Sequence, residues 1–179
     1  PGSDTMMPNF TLKNEEVILS GIGIFKDYEL KDILNTEDSS LFNLLNNFHT
    51  NNITLKSLCS TNKYTVLNIY EAKINLKPTK SNLIVSGSIN SQIIENNCHL
   101  DLKDTDTYQN LQEYFLIVLE NKMTNIFNIL KRYQSNSLKI GTIYYNKYRD
   151  PNYLLWTSNP IIYDLNLKIN KKGLTYEFN

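Results

Sequence analysis

Three groups of carboxylates carry the residue types that general acid–base chemistry needs: Glu15-Glu16, Glu37-Asp38, and Asp101 with Asp104 and Asp106. The first opens an apolar run that reads as a strand. The other two precede helical patterns, where the helix dipole and unsatisfied N–H groups favour negative charge. Capping therefore accounts for them without a glycosidase-type acid pair. The histidines, His49 and His99, have no metal-ligand spacing to another histidine or cysteine. Cys98 and His99 are adjacent, so on a strand they point to opposite faces. Ser86-Gly87-Ser88 lies inside a strand pattern rather than at a strand-to-helix elbow, as a nucleophile of that kind requires. Gly21-Ile22-Gly23 has Lys26 where a phosphate-binding glycine motif needs its third glycine, and no helix opens there. The sequence thus assigns no catalytic residue, no cofactor and no metal.

One constellation is suited to binding. Tyr144, Tyr145, Tyr148, Tyr153 and Trp156 fall close together, with Lys147 and Arg149 interleaved. Three readings stand. The rings are core with hydroxyls reaching solvent. Or Tyr145, Tyr148, Tyr153 and Trp156 form a protein interface, where Tyr, Trp and Arg are enriched. Or the aromatic–basic mixture stacks on single-stranded nucleic acid. The last has no support from overall charge: 18 basic and 18 acidic residues give a net charge of zero.

The elements that must position these residues come from 179 residues, 41% of them hydrophobic and 20% charged, which is a globular composition. No stretch approaches the ~20 apolar residues of a membrane span. Pro1-Gly2-Ser3 resembles a cloning remnant, so residues 1–14 are expected to be remnant plus loose lead-in, with 15–179 as one domain. Cys59 and Cys98 sit in no motif. They read first as two small buried residues, with a disulfide as the alternative in an oxidising compartment.

Val17–Phe25 is apolar, Lys26-Asp27-Tyr28 is a turn, and Leu30 to Leu34 returns, so residues 15–34 read as a β-hairpin. A helix over 36–48 follows, capped by Asn35 or Thr36, with Leu41, Phe42, Leu44, Leu45 and Phe48 as its stripe. Runs at 53–60, 64–76 and 83–94 alternate with period two and predict an antiparallel meander. In the second run two offset apolar sets compete, Tyr64/Val66/Tyr70/Ala72/Ile74/Leu76 and Leu67/Ile69. Residues 107–134 keep helical spacing for about seven turns, with Asp106 and Gln109 as a capping-box-like start. A helix at 138–148 ends at Asp150-Pro151. Residues 161–169 form a closing strand, followed by a turn at 171–174 and a continuation at 175–178. The order predicts an α+β fold: one antiparallel sheet, meander plus C-terminal strand, packed against one long helix and shorter ones.

Three segments in order resemble the C-terminal domain of Ger-type spore germinant-receptor C subunits, the GerAC-like lipoproteins. Residues 20–42 carry Phe25, Lys26, Leu30, Leu34, Asn35 and the Glu37-to-Ser40 helix start. Residues 137–156 carry Ile140-Gly141, Tyr148, Pro151 and Trp156. Residues 161–174 carry the alternating strand and Gly173-Leu174. The chain departs from the pattern at Asp32, where the family has glycine, and at Leu138 or Lys139, where it has an acidic residue. The resemblance implies a non-enzymatic, monomeric domain of a longer lipoprotein needed for nutrient-triggered spore germination. It implies a lipid anchor on an upstream segment and a place on the outer face of the spore inner membrane. Its implied partners are membrane-embedded A and B receptor subunits, with no nucleic acid; direct binding of a small germinant is the alternative.

Overall fold

Two-residue turns with both residues at positive φ, Asn14-Glu15 and Asp27-Tyr28, set the first part of the chain. Their twist matches that of paired strands and closes tight hairpins. In the computed structural model, which describes residues 2–48 and 53–170, β1 (Met6–Lys13), β2 (Glu16–Lys26) and β3 (Glu29–Leu34) form an antiparallel sheet A in that order. Residues 6–13, expected to be a loose lead-in, are thus a strand. MMPNFTLK has no clean alternation and contains a proline, but an edge strand tolerates Pro8, and the apolar β2 supplies the pairing. Gly21, at φ 151°, stands beside a bulge, and a Cβ there would lie 1.8 Å from the Leu34 carbonyl oxygen. That close approach lets β3 turn into the first helix.

Helix α1 (Thr36–Leu45) is capped reciprocally. The Asn35 side-chain oxygen accepts from the Asp38 N–H at 2.9 Å, and the Asn35 amide donates to the Asp38 carboxylate at 2.8 Å. The helix stops at Leu45 rather than 48, and Phe48 lies exposed beyond the buried stripe of Leu41, Phe42, Leu44 and Leu45.

Sheet B has the order β4 (Ile53–Ser60), β5 (Lys63–Pro78), β6 (Leu83–Asn96), β7 (Ile161–Asn170). The two competing apolar sets of β5 are both used. A bulge between Ile69 and Glu71 switches the inward parity, so Leu67 and Ile69 are buried before it and Ile74 after it. The first three strands are the expected antiparallel meander, but β7 pairs with β6 in parallel, from Leu83↔Ile161 to Gln92↔Asn170. The reason is the return path. Helix α2 (Thr105–Arg132), about 42 Å long at 1.5 Å per residue, carries the chain back along the sheet. At its end Lys131 donates to the Asn159 carbonyl at 2.6 Å, and the Asn159 amide donates to the Thr79 carbonyl at 3.2 Å, beside the β5–β6 turn. β7 therefore starts where β6 starts, as a helical crossover requires. The fold is α+β with one antiparallel and one mixed sheet.

The cap of α2 is Asp104 rather than Asp106, accepting from the Thr107 N–H at 2.8 Å. Leu111, Phe115, Leu119, Met123, Ile126, Phe127 and Leu130 form its buried stripe. They meet Leu55, Leu67, Val85 and Ile89 of sheet B, Phe42 and Leu45 of α1, and Ile24 and Leu34 of sheet A in one continuous core. Each such side chain contributes roughly 1.5–3 kcal/mol of burial. Cys59 and Cys98, expected to be buried thiols, are a disulfide with Cα atoms 6.1 Å apart. They tie the end of β4 to the β6–α2 connection at the surface, where the register brings β4 and β6 alongside β5. His49, residues 171–174 and residues 175–178 lie outside the described residues.

Candidate functional site

The aromatic cluster is organised by α3 (Ile140–Tyr148) and by a loop that gives no warning of its importance. Helix α3 starts from Lys139 in the left-handed region, with no side-chain cap of its own. Asn136, fully enclosed, takes over that role. Its side-chain oxygen accepts from the Gly141 N–H at 2.7 Å, and its amide donates to the Thr142 hydroxyl at 3.0 Å and to the Gly2 carbonyl at 2.7 Å. The Asn136 N–H donates to the Asp4 carboxylate at 2.7 Å, and Lys26 approaches the same carboxylate at 3.4 Å. The loop thus holds the segment at Gly2 and Asp4 as well as the start of α3. Gly141 is needed here: a Cβ would stand 2.8 Å from the Tyr153 ring and 2.9 Å from both the Tyr153 carbonyl and the Asn136 side-chain oxygen.

The cluster then divides. Tyr144 is buried and packs against Tyr148, the rings tilted by 49° with centroids 4.8 Å apart, and its hydroxyl donates to Asp150 at 3.3 Å. Burial first, and the Asp150 charge second, hold its pKa above the usual phenol range. Trp156, in a short 3-10 turn at Leu155–Ser158, is also fully buried. Its expected place in an interface is therefore corrected: it is a core anchor beneath the site. Tyr145, Tyr148 and Tyr153 remain half-exposed. Lys147 and Lys80 flank the Tyr148 ring at 4.9 and 5.8 Å, and Arg149 lies 6.0 Å from the Tyr145 ring. This is an aromatic face edged by three cations, suited to contacts with an acidic or aromatic surface. Beside it, the N-terminal end of α3, the C-terminal end of α1 and the segment at Asp4 enclose an open groove of about 670 Å³, with Asn46, Asn75, Lys139 and Thr142 on its walls.

The carboxylates have structural tasks. Glu37 pairs with Lys122 at 3.0 Å, joining α1 to α2. Asp38 and Asp104 serve helix caps, and hydrogen bonds from Thr107 hold the Asp104 carboxyl below the usual range. Asp101 accepts from the Lys103 N–H at 2.9 Å. Glu15 forms a hairpin turn and Glu16 begins β2. Ser86 and Ser88 sit inside β6, and His99 is exposed in the β6–α2 connection. Among the described residues no three His, Cys, Asp or Glu side chains are grouped to hold a metal ion.

The fold and this face define an α+β module in which Tyr and cationic side chains gather on and around a short helix above a buried tryptophan. Residues 20–173 match the family described as "Spore germination B3/ GerAC like, C-terminal", and the chain belongs to it. The backbone is similar to the crystal structure of the GerBC protein, with a TM-score of 0.75 at 14% sequence identity, over 94% of this chain. The chain spans 57% of the GerBC chain. No curated protein matches it.

Proposed function

We propose that this chain is a non-enzymatic domain of a nutrient germinant-receptor C subunit. It acts through protein contacts with the membrane-embedded A and B subunits, on the outer face of the spore inner membrane. A lipid anchor on an upstream segment would hold it there. The observation that carries this reading is the family match, which runs from β2 through β7. The Cys59–Cys98 disulfide supports it, since such bonds persist in oxidising environments outside the cytosol. No described helix is long and apolar enough to cross a membrane. Tyr145, Tyr148 and Tyr153 are the contact residues assigned to the α3 face.

The test is germination of spores lacking only this domain, with a restored copy as control. Loss of the response to particular nutrients, with non-nutrient triggers still effective, is the expected result. An unchanged response to every nutrient counts against it.

The groove beside α3 supports a second reading, direct binding of a small polar germinant. A ligand at 100 times its Kd should stabilise the chain by about 2.7 kcal/mol. No thermal shift with amino acids, sugars or nucleosides would remove this alternative.

A further inference from the structure

Sheet A exposes apolar side chains on both faces, most continuously on the α1 side. On the α1 side, Ile24 and Leu34 belong to the core, but the same face continues past the helix as Phe10, Leu12, Val17 and Leu19, each 51% to 74% exposed. Leu12 faces Val17, and Phe10 faces Leu19, across the hairpin. The opposite face presents Met7 and Ile33, both paired with Gly23, and Leu30, which lies over that glycine. An antiparallel sheet with one solvent face is ordinarily polar there. A contiguous exposed apolar surface of more than a few hundred Å² marks an interaction site.

The margin of the sheet identifies the occupant. Lys26 is paired with Asp4, and Lys31 with Glu29. Among the described residues, Glu15, Glu16, Asp27 and Asp32 stand outside these ion pairs, against Lys13 on the basic side. A second copy would bring one acidic margin against another. A bilayer would have to admit the polar tip Lys13-Asn14-Glu15-Glu16 first, and anionic headgroups would repel the carboxylates. We propose that sheet A is a second docking face, taking a protein surface that is apolar at its centre and carries lysine or arginine at its margin. This rests on the receptor-subunit reading, because the partner would be one of the two membrane-embedded subunits. It adds a surface distinct in charge from the basic α3 face.

The test uses the full-length protein in spores and measures recovery of the A and B subunits from solubilised membranes. Leu12→Lys with Val17→Lys is expected to lower recovery of one subunit at least tenfold. Glu15→Lys with Glu16→Lys, which leaves the apolar face intact, is expected to lower it severalfold and to weaken its dependence on salt. Circular dichroism and melting of the 179-residue chain check that each variant folds. Undiminished recovery with both folded pairs overturns the inference and leaves the receptor reading standing. Absence of both subunits from the wild-type sample overturns the receptor reading and the inference with it. Self-association of the wild-type chain in sedimentation, or flotation with anionic vesicles, abolished in either case by Leu12→Lys and Val17→Lys, assigns the face to another occupant and overturns the inference.

Discussion

At the residue scale, Trp156 and Tyr148 look alike in sequence and differ in role. Trp156 is enclosed, and its indole N–H has no hydrogen-bond partner among the described residues. Trp156→Ala should cost about 3–5 kcal/mol in urea unfolding, the usual range for emptying a large aromatic site. A cost below about 1 kcal/mol would mean that the ring does not anchor the core. Tyr148→Ala should cost much less, since its ring is half-exposed and an aromatic contact such as the tilted one with Tyr144 is worth about 0.5–1.5 kcal/mol beyond area. Tyr163 of β7 gives a pH signature. Its hydroxyl meets the Thr124 hydroxyl at 2.7 Å, opposite α2. Burial, opposed by the Thr124 hydrogen bond and reinforced by Glu120, pushes its pKa up to about 12. The unfolded phenol titrates near 10. The native state therefore holds the proton more tightly, and stability complete below pH 10 should fall as pH rises from 10 to 12. Tyr163→Phe should flatten that limb in unfolding titrations. An unchanged alkaline slope would place the titration elsewhere.

At the element scale, the disulfide fastens what the strands arrange. The bond closes a separation of 39 residues across β4, β5 and β6. In the chain-entropy account such a loop is worth about 2–4 kcal/mol, through the unfolded state. Reduction, or Cys59→Ser with Cys98→Ser, should lower unfolding stability by that amount while leaving circular dichroism unchanged at 25 °C. An effect below about 0.5 kcal/mol would show that the bond adds nothing to the meander. The same elements show what was legible in the sequence. The hairpin turn at Asp27-Tyr28, the long α2 stripe and the meander follow from local period and turn chemistry, and α+β follows from their order. Three things were not local. The strand nature of residues 6–13 comes from pairing with β2. The parallel entry of β7 comes from the length of α2 and the Lys131–Asn159–Thr79 fastening. The Cys59–Cys98 pairing depends on bulged registers that no spacing rule gives. At the site, Tyr145, Tyr148 and Tyr153 were visible as types. Asn136 was not, because Ser135-Asn136-Ser137 reads as an ordinary polar loop until the distant Gly2 and Asp4 close over it.

At the scale of the whole molecule, the two sheets are unequally secured. Sheet B is covered by α2 and shares a continuous core with α1, whereas the outer half of the β1–β2 hairpin projects beyond that cover. A two-stranded ribbon outside a core is only marginally stable in water. Its apolar face, from Phe10 to Leu19, gains nothing while it faces solvent. Local opening should therefore be far easier there than global unfolding. In amide hydrogen exchange of the 179-residue chain, residues 10–19 should show protection roughly 100-fold or more below that of Leu67–Ile74 and Val85–Ile89, consistent with sub-global opening. Equal protection would mean that the hairpin opens only with the core and is fastened by contacts of its own. Binding to a receptor subunit through sheet A should raise protection of residues 10–19 without changing β5 or β6. Binding through the α3 face should instead protect Tyr145 to Tyr153 and leave the hairpin open. The exchange pattern thus separates the two docking faces in one measurement, because they sit on elements of different intrinsic stability.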